Sequence, residues 1–268
     1  MTAPTAAEQA LRDGDPSSAI KLLQDQIRSK PADAKLRVFL FQLLCVQGQW
    51  ERALNQLSVA SELDAATLPM VQAYRETIQC ERLREQVFRG QKAPLLFGEP
   101  EAWVALLIES MLRAGRGDLA DAAQLRSQAF EQAPATSGTV DGQAFEWFAD
   151  ADMRLGPVLE AVVNGRYYWI PFSRLSSLTI EAPTDLRDRV WMPSTLMFAN
   201  GGEVVAFIPT RYAGTDLSDP QLALARRTAW AEPEPGFFVG QGQRMFSTDQ
   251  GDLALMDIRQ VTFAGAAD

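Results

Sequence analysis

Val158-Leu159-Glu160-Ala161-Val162-Val163 and Arg166-Tyr167-Tyr168-Trp169-Ile170-Pro171-Phe172 are two β-rich runs separated by Asn164-Gly165. Asn-Gly between two such runs is the strongest short-range signal for a hairpin, because both turn residues must adopt positive φ. Two further runs, Leu196–Ala199 and Glu203–Ile208, flank Asn200-Gly201-Gly202 and predict a second hairpin. Shorter strands are expected at Phe237–Val239, Gln243–Ser247, Leu253–Asp257 and Gln260–Phe263. Pro220–Arg227 is the best helix candidate in this region, with Asp219 as its N-cap. Residues 140–268 therefore read as a compact, mostly antiparallel β-rich domain with one or two short helices.

The preceding sequence has a different period. In Asp33–Val46, Leu36, Phe39, Leu40, Leu43 and Leu44 follow the 3–4 spacing of one helix face. Ala53, Leu54, Leu57 and Ala60 repeat it over residues 50–62, and Gly48 between the two predicts an antiparallel helical hairpin. Gly14, Ala19 and Leu23 recur as Gly48, Ala53 and Leu57, each shifted by 34, which is the tetratricopeptide period. The glycine relieves the turn, and the alanine lets the helices approach. Gly117, Ala122 and Pro134 keep the offsets of Gly14, Ala19 and Pro31, one residue out of phase with that grid. Longer helices are expected at Leu68–Phe88, Glu99–Ala114 and Asp118–Gln132, with Pro94–Gly98 as a break. Residues 1–134 thus read as a tetratricopeptide-like helical domain, and Ala133–Thr139 as a linker. The fold class is α+β, helical hairpins first and the β-rich part second.

Composition sharpens the division. The chain has 268 residues, 25 Lys plus Arg, 34 Asp plus Glu, a formal net charge of −9 and no histidine. Residues 1–138 carry 15 basic and 17 acidic side chains, including all four lysines; residues 139–268 carry 10 and 17. The acidity is therefore concentrated in the β-rich half, which also holds nine of the 14 Phe and four of the six Trp. The acidic balance argues against nucleic acid and anionic membrane as partners. Without histidine there is no imidazole base, no imidazole metal ligand and no Ser–His or Cys–His pair. The N-terminus lacks the basic start and apolar core of a secretory signal, and no stretch approaches the roughly 20 apolar residues of a bilayer span. Cys45 and Cys80 match no metal or redox motif and read as buried thiols, so a cytoplasmic protein is expected.

No cofactor or metal site is expected. Asp150-x-Asp152 lacks the additional oxygen ligands and glycine-rich loop of a hard-cation site and reads as a solvated turn or strand edge. Gly240-x-Gly242 has Met245 where a dinucleotide fingerprint needs its third glycine, and reads as a β-turn. Ser173, Ser176 and Ser177 have no base nearby in sequence. Carboxylate pairs such as Glu146 with Asp150 are too common in an acidic protein to signal glycoside hydrolysis.

Two segments carry recognition chemistry. In a strand, Tyr167 and Trp169 share one face and Tyr168 takes the other. Arg187, Arg189 and Trp191 alternate similarly in Asp185-Leu186-Arg187-Asp188-Arg189-Val190-Trp191. Tyr167, Tyr168, Trp169, Arg187, Arg189 and Trp191 are the candidate partner-binding residues, each weighed against simple packing or surface ion pairing. Asn164–Phe172 resembles the hallmark segment of the ImpE family, also called TagJ, accessory proteins of bacterial type VI secretion. Asp185–Pro193 and Leu255–Arg259 resemble two further family segments, and the order of helical and β-rich halves agrees. The resemblance implies a non-enzymatic adaptor that binds the N-terminal helix of the small contractile-sheath subunit. It also implies a link to the ATPase that recycles contracted sheaths. Stacked helical hairpins would offer an apolar surface for such a helix, and the acidic β half would favour one carrying Lys or Arg. The alternatives are a tetratricopeptide scaffold for another peptide and a carboxylate-dependent hydrolase in the β half.

Overall fold

A computed structural model describes residues 5–264. Seven helices come first: α1 (Ala6–Arg12), α2 (Pro16–Ser29), α3 (Ala34–Val46), α4 (Trp50–Leu63), α5 (Leu68–Phe88), α6 (Ala102–Arg116) and α7 (Leu119–Gln132). They form tetratricopeptide-like hairpins whose turns follow the repeat. Gly48 sits between α3 and α4 at φ +63°, a conformation open to glycine at little cost, and Gly14 does the same between α1 and α2. Ala19, Leu23, Ala53 and Leu57 are all essentially inaccessible to solvent. The out-of-phase echo is realised as well, since Gly117 turns α6 into α7 and Ala122 is buried between them. Asp15 and Asp33 cap α2 and α3 by accepting backbone N–H bonds.

The strands are β1 (Leu95–Leu96), β2 (Gly138–Val140), β3 (Gln143–Phe145), β4 (Phe148–Asp150), β5 (Val158–Val163), β6 (Arg166–Pro171), β7 (Leu175–Ile180), β8 (Trp191–Phe198), β9 (Glu203–Pro209), β10 (Thr228–Glu234), β11 (Phe237–Gly242), β12 (Met245–Thr248), β13 (Gly251–Ala254) and β14 (Gln260–Phe263). Helix α8 (Pro220–Ala223) is capped by Asp219. One nine-stranded sheet runs β1-β6-β5-β9-β8-β7-β14-β2-β3, antiparallel except where β1 meets β6. A two-stranded ribbon, β10–β11, and a small β13-β12-β4 sheet complete the half.

Several elements differ from the sequence reading for identifiable reasons. The Pro94–Gly98 break contains β1, so the helical half contributes a strand to the sheet of the other half. Strand β7 escapes a period-two search because a bulge between Leu175 and Ser177 puts its buried residues at 175, 178 and 180. Strand β10 carries Pro233, which suits an edge strand but masks the pattern. Gly240 and Gly242 lie within β11 and do not form a β-turn. A Cβ on Gly240 would stand 2.2 Å from the Tyr212 ring, so glycine is needed for that ring to seat against the ribbon.

Both halves share cores. One cluster packs Phe41, Leu44, Val71, Tyr74 and Ile78 of the helices against Val190, Trp191 and Leu224. A second packs Val87, Trp103, Leu107 and Met111 against Val158, Val162, Tyr167 and Trp169. No helix among the described residues is long and apolar enough to cross a membrane. The close approach at Ala53 has a direct test. Ala53→Leu is expected to cost about 1–3 kcal/mol by overpacking the α3–α4 hairpin, read as a lower urea midpoint with unchanged slope. A midpoint equal to wild type would contradict the close approach.

Candidate functional site

Strand alternation puts Tyr167 and Trp169 on one face of β6 and Tyr168 on the other. Which face meets water is decided by α5. The helix lies over the Tyr167–Trp169 face, leaving Tyr167 1% and Trp169 0% exposed. Tyr168 is half-buried on the opposite face, edge-on to Phe97 at 5.3 Å. Trp191, at the start of β8, is also fully buried, against Trp50 and Tyr74 at 5.7 Å each. Three of the six candidate partner-binding side chains are thus interior, and their polar atoms point into one buried network.

Glu160 is the centre of that network. It sits in β5, opposite Trp169, and is 0% exposed. Arg84 of α5 donates to both its carboxylate oxygens, Nε to Oε2 and Nη2 to Oε1, at 2.7 Å each. The Tyr167 hydroxyl donates to Oε2 at 2.6 Å and accepts from Trp169 Nε1 at 2.8 Å. Arg244 donates to Glu160 and to Asp150, and its Nε reaches the Pro209 carbonyl at 2.9 Å. On the helical side, Arg84 also bonds Glu81 and the Arg211 carbonyl. Trp191 Nε1 donates to Glu81 Oε1 at 2.8 Å. The Arg211 guanidinium caps the C-terminal end of α3, donating to the Val46 and Cys45 carbonyls, and also bonds Ala223. Arg84 and Arg244 therefore pair with three buried acids, Glu81, Asp150 and Glu160, while Arg211 bonds backbone carbonyls.

The local electrostatics follow from this geometry. Burial alone would raise the Glu160 carboxyl, but Arg84 and Arg244 beside it, with the Arg84 and Tyr167 hydrogen bonds, hold it down to about 2. For Asp150 burial outweighs its single shared arginine and pushes the carboxyl up to about 7. Burial lowers Arg211 to about 10, with Glu81 opposing. Burial also pushes the Cys80 thiol up to about 12 and Cys45 well above its ordinary value, which removes thiolate character from both.

Asp150 and Asp152 are not on a solvated turn. Both are buried, Asp150 against Arg244 and Asp152 against Arg154 at 2.6 Å, and the guanidinium groups offset part of the desolvation. The Asp185–Trp191 segment is not a simple alternating strand either. Leu186–Arg189 form a 3₁₀ turn with a capping box: Asp185 accepts from the Arg187 N–H, and Asp188 reaches back to the Asp185 N–H. Arg187 is tied to Asp185 and lies over the Tyr74 ring at 5.0 Å, whereas Arg189 forms no ion pair among the described residues.

A cleft of about 230 Å³ opens over the network, lined by Trp50, Glu85, Phe88, Arg89, Arg154 and Leu217 among others. A second cavity of about 170 Å³ shares Phe88, Arg89 and Arg154 and continues along Leu107, Met111, Arg126 and Phe237. Together they form a groove along the seam between the halves, with apolar walls and charged rims. The face of α3 and α5 nearest the β half, where an incoming helix could have been expected, is instead filled by Val190, Trp191 and Leu186.

Residues 142–262 match the family model described as ImpE protein, and residues 10–76 match a tetratricopeptide repeat model. Over 258 residues the chain is 51% identical to the type VI secretion system accessory component TagJ of Pseudomonas aeruginosa, covering 96% of this chain and 90% of that protein. The chain belongs to the ImpE family. An X-ray structure of a Vibrio parahaemolyticus protein superposes on this ImpE chain with a TM-score of 0.89 at 25% identity, covering 98% of each. The ImpE-matched region holds Glu160, Tyr167, Trp169, Trp191, Arg211 and Arg244, while Glu81 and Arg84 lie beyond the tetratricopeptide match, on α5. The network is therefore where the ImpE-type sequence grips the helical half.

Sequence reasoning missed Arg84, Glu81, Arg211 and Arg244. Glu160 alone left a signal, as the one charge in an otherwise apolar strand. Glu160→Gln leaves two buried guanidinium groups undercompensated and is expected to cost about 3–5 kcal/mol by urea unfolding at pH 7. Because the folded carboxyl titrates below the unfolded one, its contribution is complete above about pH 4.5 and is lost as pH falls toward 2. The gap between wild type and variant should therefore close over that window; a gap independent of pH would contradict a charged Glu160.

Proposed function

We propose that this chain is a non-enzymatic adaptor of type VI secretion. On this reading it binds the N-terminal helix of the small contractile-sheath subunit and links it to the ATPase that recycles contracted sheaths. The observation that carries the reading is the 51% identity, over nearly the full chain, to the Pseudomonas aeruginosa type VI secretion accessory component TagJ. The seam groove supports it: the half-buried Phe88 and Phe237, over a floor of buried Leu107 and Met111, suit the apolar face of an amphipathic helix. Tyr167, Trp169 and Trp191 would serve that seat from behind, by holding α5 and the β half in register. Tyr168, Arg187 and Arg189 do not line it. The acidity of the β half would speed encounter with a helix carrying Lys or Arg. A non-enzymatic role also accords with the chemistry at the seam. Its carboxylates are committed to arginines, its thiols are pushed up by burial, and the chain has no histidine. The workplace on this reading is the cytoplasm.

Calorimetric titration of the full chain with a synthetic N-terminal helix of the small sheath subunit is the test. Saturable binding is expected, weakened about tenfold by Phe237→Ala on the groove wall away from the network. No saturable heat at high micromolar peptide would refute the adaptor reading. Full affinity in the Phe237→Ala variant would remove the seam groove as its seat.

A further inference from the structure

Although the chain is acidic overall, three of its arginines converge without acidic partners. Arg12 ends α1, Arg189 ends the 3₁₀ turn before β8, and Arg226 follows α8. With Leu11, Leu186 and Leu224 they line one open depression of about 450 Å³, where the first helix meets the β half. Among the described residues none of the three forms an ion pair. Arg226 is held in place by α1, donating to the Leu11 carbonyl at 3.0 Å and the Arg12 carbonyl at 3.3 Å. Among the described residues Arg189 bonds the Met256 sulfur alone, at 3.4 Å. The acids nearby are already used: Asp185 holds Arg187, and Asp188 accepts the Thr184 and Asp185 N–H bonds within its capping box. Burial and the like charge of Arg226 both pull Arg189 below the ordinary arginine range, with Asp188 opposing. Asp185 also lines the depression but is held by Arg187, so the three guanidinium groups stand there without ion pairs of their own, beside the half-buried Leu11 and Leu186.

We propose that this depression is a docking site for an acidic, leucine-bearing helical segment of a partner protein. Carboxylates would answer the three guanidinium groups, and aliphatic side chains would cover the half-buried Leu11 and Leu186. The leucines are what separate this partner from a nucleic acid, whose phosphates have no use for them. The net charge of −9 would also repel a long polyanion, while a short segment in contact feels mainly the local field. The partner charge is opposite to the one favoured for the sheath helix, and the site lies outside the seam groove, so the two readings stand or fall separately.

Fluorescence anisotropy of the full chain against three labelled probes tests this. The probes are an amphipathic helix of glutamate and leucine, its lysine and leucine counterpart, and a single-stranded oligodeoxynucleotide. The glutamate helix is expected to bind, more weakly as salt is added, and to lose at least about tenfold in affinity in Arg189→Glu. Arg12→Glu, at an exposed helix end, should do the same with an unchanged circular dichroism spectrum. Neither variant should weaken the lysine helix or the sheath peptide. Full affinity for the glutamate helix in both variants would overturn the proposal. So would an oligonucleotide that displaces it. Self-association in sedimentation that Arg189→Glu abolishes would assign the depression to a second copy instead.

Discussion

Glu160 is a carboxylate fully removed from water inside a β-strand. Such a group survives as an anion only if charge and hydrogen bonds replace its hydration. Here Arg84 comes from a helix 76 residues earlier and Arg244 from a strand region 84 residues later, while Tyr167 closes the remaining position. None of these partners can move far without exposing a buried charge to an apolar surrounding. The position of α5 over β6, the burial of Tyr167 and Trp169, and the shape of the seam groove all depend on this constraint. A network of this type adds little net stability over a well-packed apolar core. What it does impose is interdependence, since removing any one partner leaves a buried charge uncompensated.

That constraint gives the groove its character. Its floor is charged but internally neutralised, and its walls carry Phe88, Met111 and Phe237. A surface of this kind recognises a partner by shape and apolar contact and leaves charge to steer the encounter. The tetratricopeptide-like hairpins act here as a platform for the ImpE-type half, because Trp191 and its neighbours occupy the face of α3 and α5 that meets it.

Local features were legible in the sequence, and long-range ones were not. Helix α5 ends where the periodicity ends, the Asn164-Gly165 hairpin forms in the expected register, and the 34-residue repeat returns as matched turns and matched buried alanines. These are decided by neighbours a few residues away. The alternation of Tyr167, Tyr168 and Trp169 was also readable, but its meaning was not, because α5 decides which face is interior. Asp150 and Asp152 looked like solvent-facing acids for the same reason: their compensating arginines include Arg244, 94 residues away. The bulge in β7 hides a strand from any period-two search. Arg187 and Arg189 are indistinguishable by type and differ only in whether an acid is within reach.

Through the Glu160 network the two halves should unfold as one cooperative unit. Scanning calorimetry of the intact chain at neutral pH tests it most directly. A single transition whose calorimetric and van't Hoff enthalpies agree is the expected result. Two resolved transitions, with the helical half melting apart from the β half, would contradict it.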